Sequence, residues 1–167
     1  MIEEIKRNYL EIKSLQDLKE GSKPSEDYFL TLIDPINFQL NKYFYKNIGK
    51  NHKWVDRLSW SEEKWINYAS SKNVNSYVFK HKDDLVGFFE LIFHPDNNET
   101  EIAYFGILEE YQNKKLGSFL LSEAIKKSFV NNTKRVWVHT CSLDHKNALS
   151  NYISRGMKIF KTEILNI

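Results

Sequence analysis

The spacing of apolar residues shifts along this chain, and each shift marks an element. Near the start Tyr9-Leu10-Glu11-Ile12 reads as a short strand and Leu15 to Leu18 as a helical turn. The polar stretch from Glu20 to Glu26, with Gly21 and Pro24, reads as a surface loop. Tyr28 to Ile33 is a β-rich run ending at Asp34-Pro35, where Asp34 can cap and Pro35 can open a helix running to about Tyr45. Phe38, Leu40, Tyr43 and Phe44 form its apolar stripe, with Gly49 beyond its end. Ser61-Glu62-Glu63 starts a second helix whose buried side is Trp65, Ile66 and Ala69.

The middle of the chain turns to period-2 and fully apolar runs. Ser76 to Lys80 and Leu85 to Phe93 are strands joined by the hairpin loop His81 to Asp84, and Glu101 to Leu108 is a third antiparallel strand. From Lys115 to Val130 the pattern is helical, with Leu116, Phe119, Leu120, Ala124 and Ile125 on the core face. Arg135 to Thr140 is a strand, Asp144 to Ser154 a helix stopped by Gly156, and Met157 to Ile164 a last strand. Helices, a meander, then helix, strand, helix and strand predict an α/β sandwich around a mixed sheet.

Composition narrows this picture. With 167 residues, 41% hydrophobic and 28% charged, the expectation is a single domain, 1–167, with a real core. The 24 basic against 22 acidic residues leave a net charge of +2, which argues against nucleic-acid or anionic-membrane partners. One cysteine, Cys141, excludes an internal disulfide and a cysteine-based zinc site, and no metal is expected. The start, Met1 to Arg7, lacks a secretory pattern, and no apolar run approaches the ~18 residues that span a bilayer. A cytoplasmic protein is expected.

The most informative stretch is Glu101 to Gly117, a strand running into the basic turn Gln112-Asn113-Lys114-Lys115-Leu116-Gly117 and then a helix that begins Ser118-Phe119. A helix opening there offers unpaired amides and the positive end of its dipole to a phosphate. Together with Ala148 to Met157, this stretch resembles the linked motifs of the GNAT superfamily of acetyl-CoA-dependent N-acetyltransferases, over roughly Val74 to Ile164. Tyr104-Phe105-Gly106 and His139 to His145 are similar to a bacterial, small-molecule branch of that superfamily.

The resemblance implies a mostly antiparallel twisted sheet with helices on both faces and a splayed central parallel strand pair. It implies acetyl-CoA as co-substrate, its pantetheine arm pairing with the free backbone of Phe105, Gly106 and Ile107 by strand addition. It places the pyrophosphate on Gln112, Asn113, Lys114, Lys115, Leu116, Gly117 and Ser118. Gln112 and Gly117 match the family's turn, but Lys115 stands where the family has glycine, and a left-handed non-glycine residue costs about 1–2 kcal/mol. The adjacent charges of Lys114 and Lys115 can offset that cost. His145 occupies a position that is asparagine in many relatives, and Asn147 is the alternative amide contact.

Tyr152, four residues after Ala148, has the spacing of the family's tyrosine beside the cofactor sulfur, where a phenol can protonate the leaving thiolate; the alternative is a core tyrosine. The acceptor amine must lose a proton, so a base is needed. Glu101 and Glu90 are the candidates, each also readable as a solvated edge residue. Glu90 is preferred because a carboxylate between Phe89 and Leu91 is the odder placement energetically. His94 and His139 stand behind them, and Cys141 reads as a small pocket-lining residue. On the acceptor side Trp54, Arg57 and Trp60 either clamp a small ligand through cation–π contact and carboxylate pairing or simply anchor a loop.

The expected activity is acetyl transfer from acetyl-CoA to a primary amine of a small molecule in a ternary complex. An inactive acyl-CoA sensor and a protein-interaction domain are the alternatives. GNAT sheets usually end in two C-terminal strands, and only Leu165-Asn166-Ile167 follow the last one here. The early strand, or a second protomer in a homodimer, is expected to cover the edge left open.

Overall fold

The computed structural model describes residues 4–166; Met1 to Glu3 and Ile167, part of the expected domain, lie outside the described residues. Seven strands form one sheet: β1 (Glu4–Ile12), β2 (Tyr28–Leu32), β3 (Val74–His81), β4 (Asp84–His94), β5 (Glu99–Ile107), β6 (Arg135–Cys141) and β7 (Lys158–Asn166). Four α-helices accompany them: α1 (Phe38–Gly49), α2 (Glu62–Ser70), α3 (Leu116–Ser128) and α4 (Ala148–Ser154). The sheet order is β2-β3-β4-β5-β6-β1-β7, and every neighbouring pair is antiparallel except β5 and β6.

The parallel pair is short. Glu99, Thr100 and Glu101 pair with Arg135, Val136 and Trp137, and beyond them β5 and β6 run on without pairing. On its other edge β5 carries an extra residue: Glu90 pairs with Tyr104 and Leu91 with Ile102, leaving Ala103 as a bulge. The bulge and the parting of the strands fall within the same few residues.

β1 is longer than the expected Tyr9–Ile12 and lies inside the sheet, antiparallel to both β6 and β7. The chain's own first strand therefore lies between β6 and β7 and does not cover the edge as expected; the edge strand is β7. Leu10 and Ile12 point into the main core with Val136, Val138, Leu120, Ile125 and Met157, beneath α3 and α4. On the opposite face Phe44, Ile48, Val78, Phe88 and Leu108 pack under α1. Phe44 stacks on Phe88, centroids 4.9 Å apart and 6° from parallel.

Two helix starts differ from expectation. Pro35 lies outside α1, in a cis Asp34–Pro35 bond, and α1 begins after Asn37 and includes Gly49. Its buried residues are Asn41, Phe44, Tyr45, Ile48 and Gly49, so of the expected stripe only Phe44 is fully buried and Tyr43 faces solvent. α4 begins after Asn147, because the Asp144 carboxylate instead closes the preceding turn, accepting from the Thr140 hydroxyl and the Cys141 amide. α2 starts as its sequence suggests, the Ser61 hydroxyl accepting from the Lys64 amide at 3.2 Å. Trp65 and Ala69 are buried, while Ile66 is 42% exposed.

Candidate active site

Where β5 and β6 part, a cavity of about 1010 Å³ opens. This is the upper end of the size range for small-molecule and cofactor sites. Its backbone walls have a definite polarity. The Leu108 amide donates to the Val86 carbonyl on β4 at 2.8 Å, and amides along a strand alternate in direction. The amides of Ile107 and Phe105 therefore point away from β4, into the gap.

Beyond β5 the turn to α3 forms one end of the cavity. Asn113 and Lys115 are both left-handed, each with φ of 63°, and Lys115 is the cap residue from which α3 starts. The lysine thus adopts the conformation that glycine would take freely, and the turn keeps its shape at the cost of strain. The Gln112 side chain donates to the Ile107 carbonyl at 3.2 Å, fastening turn to strand. Asn151 of α4 donates to the Gly117 carbonyl at 3.1 Å, which fixes the tyrosine-bearing helix to the start of α3.

The expected cofactor residues Phe105, Gly106, Ile107, Gln112, Asn113, Lys115, Leu116, Gly117, Ser118, His145 and Asn147 all line this cavity. Lys114 does not; its ammonium lies 5.6 Å from the centre of the Tyr111 ring. Gly106 serves packing: a Cβ there would come within 2.7 Å of the Ile48 side chain of α1. Tyr152 lines the cavity from α4, with its ring 6.5 Å from that of Phe105. Burial, helped by the Asp144 charge, raises its pKa well above the ordinary tyrosine value. It stays a protonated donor throughout the neutral range.

The two glutamates separate sharply. Glu101 lines the cavity, is 18% exposed and meets the His94 imidazole at 3.0 Å. Glu90 is fully buried and lies off the cavity. It accepts from Arg57 at 2.8 Å, from the Tyr68 hydroxyl at 2.6 Å and from Asn41 at 2.8 Å. With three of about four lone-pair sites engaged and no access to the cavity, Glu90 cannot meet an acceptor amine there, so the preference for it as base is corrected; of the two candidates only Glu101 borders the cavity.

Arg57 belongs to that buried pair. It is 6% exposed and surrounded by the rings of Tyr45, Trp60, Trp65, Tyr68 and Tyr104, at 4.2 to 5.7 Å from its guanidinium carbon. Burial pulls its pKa down, but the Glu90 charge and hydrogen bond outweigh that and raise it overall. Arg57 reaches the cavity wall with its charge already matched, and Trp60 is off the cavity, stacked edgewise on Trp65 at 4.9 Å. The expected clamp of Trp54, Arg57 and Trp60 is thus a braced wall in which only Trp54 and Arg57 border the cavity. Trp54 is held by Tyr104, 4.8 Å away.

Further groups line the cavity, among them His139, a secondary candidate base in the sequence, and Tyr104 and Arg7, for which the sequence suggested no site role. His139, open to the cavity, is held below the ordinary histidine pKa by desolvation and by the Arg7 charge, against the opposing pull of Glu101. Tyr104 and Arg7 border the same space. Alternation along β1 would have placed Arg7 on the face opposite Leu10 and Ile12 had the strand been traced back to Glu4. His52 bridges the α1–α2 connection to the loop after β6, its Nδ1 lying 3.2 Å from the Leu143 carbonyl. No group of three or more metal-ligating side chains occurs among the described residues. No helix among them is long and apolar enough to cross a membrane.

The model of the acetyltransferase (GNAT) family matches residues 38–157. No curated protein matches the sequence. Among solved structures, a GCN5-related N-acetyltransferase from Sphaerobacter thermophilus is similar with a TM-score of 0.72 at 15% identity, over 97% of this chain and 50% of that one. A GCN5-related N-acetyltransferase from Kribbella flavida gives 0.68 at 14% identity, over 96% and 56%. An aminoglycoside acetyltransferase from an uncultured soil metagenomic sample gives 0.63 at 12% identity, over 78% and 88%. The chain spans about half the length of the first two.

Proposed function

Because the chain belongs to the GNAT family of acetyltransferases, enzymes whose co-substrate is acetyl-CoA, we propose that it transfers the acetyl group directly to a primary amine of a small molecule. The observation that carries this reading is the convergence of Tyr152, Glu101 and the gap-facing amides of Phe105 and Ile107 on one cavity that ends at the α3 turn.

The residues fit the co-substrate. The α3 N-terminus with Lys115 and Ser118 suits a pyrophosphate, and the unpaired edges of β5 and β6 suit an amide-bearing arm. In this reading Glu101, directly or through a water, takes a proton from the bound ammonium, since only the neutral amine has a lone pair to attack with. The Phe105 and Ile107 amides then stabilise negative charge developing on the thioester oxygen. Tyr152 donates a hydrogen bond to the departing thiolate; because its raised pKa lies well above that of a thiol, about 8.5, the phenol hands over that proton only as it regains one from the protonated amine nitrogen of the collapsing intermediate. The left-handed Lys115 keeps the turn in a cofactor-ready shape, which supports co-substrate binding; the meeting of Tyr152 and Glu101 on the cavity is what favours an active enzyme over an inactive sensor.

The aminoglycoside acetyltransferase among the similar structures lends support to a small-molecule acceptor. The test is thiol release from acetyl-CoA across a panel of amines, combined with thermal stability against acetyl-CoA concentration. A specific ligand at 100 times its dissociation constant adds about 2.7 kcal/mol. Absence of any stabilisation would sink the cofactor reading; stabilisation without thiol release from any amine would favour the sensor.

A further inference from the structure

We propose that Arg7 binds a carboxylate on the acceptor, so that the enzyme selects amines that carry an acid group several bonds away. This rests on the reading of the cavity as the acetyl-transfer site, and it names the class of acceptor that the site takes.

Arg7 stands on β1 opposite Cys141 of β6 and Glu163 of β7, at the point where β6 has already left β5. It borders the cavity, and its Nε is out of contact with solvent yet has no hydrogen-bond partner. Among the described residues Arg7 forms no ion pair, whereas Arg57 holds Glu90 and Arg135 holds Glu11 and Glu99. The residue as a whole is only partly buried and borders the cavity, so the terminal nitrogens of its guanidinium, and not the sealed Nε, are the donors that a bound carboxylate would meet, as a charge-assisted pair. Of the nearby acids, Asp144 is engaged with Thr140 and Cys141, Glu101 with His94, and Glu163, which also feels the Arg7 charge, with Lys161. The Arg155 Nε is also unpartnered and Arg155 lines the same cavity, but it caps α4 beside Asn151, which is tied to Gly117, and so stands at the phosphate end of the cavity and not beside Glu101 and His139.

Spacing defines the acceptor further. Glu101 is in register with Trp137 and Arg7 with Cys141, so their backbones are about 13 Å apart along β6 at ~3.3 Å per residue. His139 lies between and feels both charges. Two side chains reaching inward leave room for an amine at Glu101 and a carboxylate at Arg7 separated by several bonds, as in an ω-amino acid.

The experiment compares a series of ω-amino acids with the matching ω-amino amides in the thiol-release assay, for the native chain, Arg7→Gln and Arg7→Lys. Melting curves verify that each variant is folded. The expected kcat/KM ratio of acid to amide is tenfold or more for the native chain, near one for Arg7→Gln and intermediate for Arg7→Lys, the loss appearing in KM. A ratio near one in the native chain, an equal ratio in Arg7→Gln, or acetyl-CoA-dependent stabilisation with neither series turned over would each overturn this proposal alone. Failure of acetyl-CoA to stabilise the protein would remove the underlying reading and this one with it.

Discussion

Two of the arginines that reach the cavity wall, Arg57 and Arg7, stand in opposite surroundings. Arg57 is enclosed by five aromatic rings and neutralised by a carboxylate, while Arg7 has no such cage and forms no ion pair among the described residues. The same division separates Glu90 from Glu101: one saturated with hydrogen bonds beneath α1 and α2, the other on the cavity with a single imidazole partner. Burial of a charge among its partners makes it part of the scaffold. Reactivity and recognition are left to the charges on the part of that same sheet face that α1 and α2 leave uncovered, where β5 and β6 diverge.

The division can be tested by variants at matched positions. The largest expected effect is on turnover: Tyr152→Phe and Glu101→Gln should each lower kcat by about 10² to 10⁴-fold while chemical denaturation midpoints stay close to native. Equal kcat in either variant would remove that residue from the chemistry. Arg57→Ala should do the reverse, costing about 3–5 kcal/mol of folding stability by urea unfolding because it leaves Glu90 buried and unpaired. An unchanged midpoint would show that the pair is not the scaffold element described. Next in size, Lys115→Gly should stabilise the chain by about 1 kcal/mol, since the glycine adopts φ of 63° without strain, and should lower the apparent Kd for acetyl-CoA. A loss of affinity would instead show that the lysine charge outweighs its strain.

The smallest effect concerns pH. The pKa of His139 is lower in the folded chain than its ordinary 6.5, so the unfolded chain takes up the proton first. Its contribution to stability is present above pH 6.5 and lost as pH falls through the folded value. His139→Gln should flatten that part of the stability profile, measured as melting temperature against pH; a steeper acid slope in the variant would contradict the assignment.

Local periodicity explains why most strands and the core of α3 were readable in advance: their burial follows spacing that any window of the sequence displays. What escaped depends on distant partners. Glu90 looked like a base because its odd placement between Phe89 and Leu91 is visible locally, but Arg57, 33 residues away, is what occupies it. Asp34-Pro35 and Asp144 carry ordinary helix-start signals, yet α1 begins only after Asn37, and Asp144 is bound instead to Thr140 and Cys141 in the preceding turn. The phosphate-type turn was legible down to its defect, because left-handed geometry at Lys115 follows from the local chain path. Arg7 was not, since its strand begins earlier than its strongest alternating segment.

The insertion of β1 between β6 and β7 also governs when the protein can mature. Its partners are far along the chain, as in the bond from Thr162 to Asn8 across 154 residues. During synthesis this strand must wait, unpaired, until β6 and β7, far along the sequence, have emerged. Closing so long a loop is slow, and an unpaired strand is prone to wrong associations in the meantime. The chain's beginning is therefore among the last parts of the sheet to be fixed, and until then the cavity lacks one of its walls.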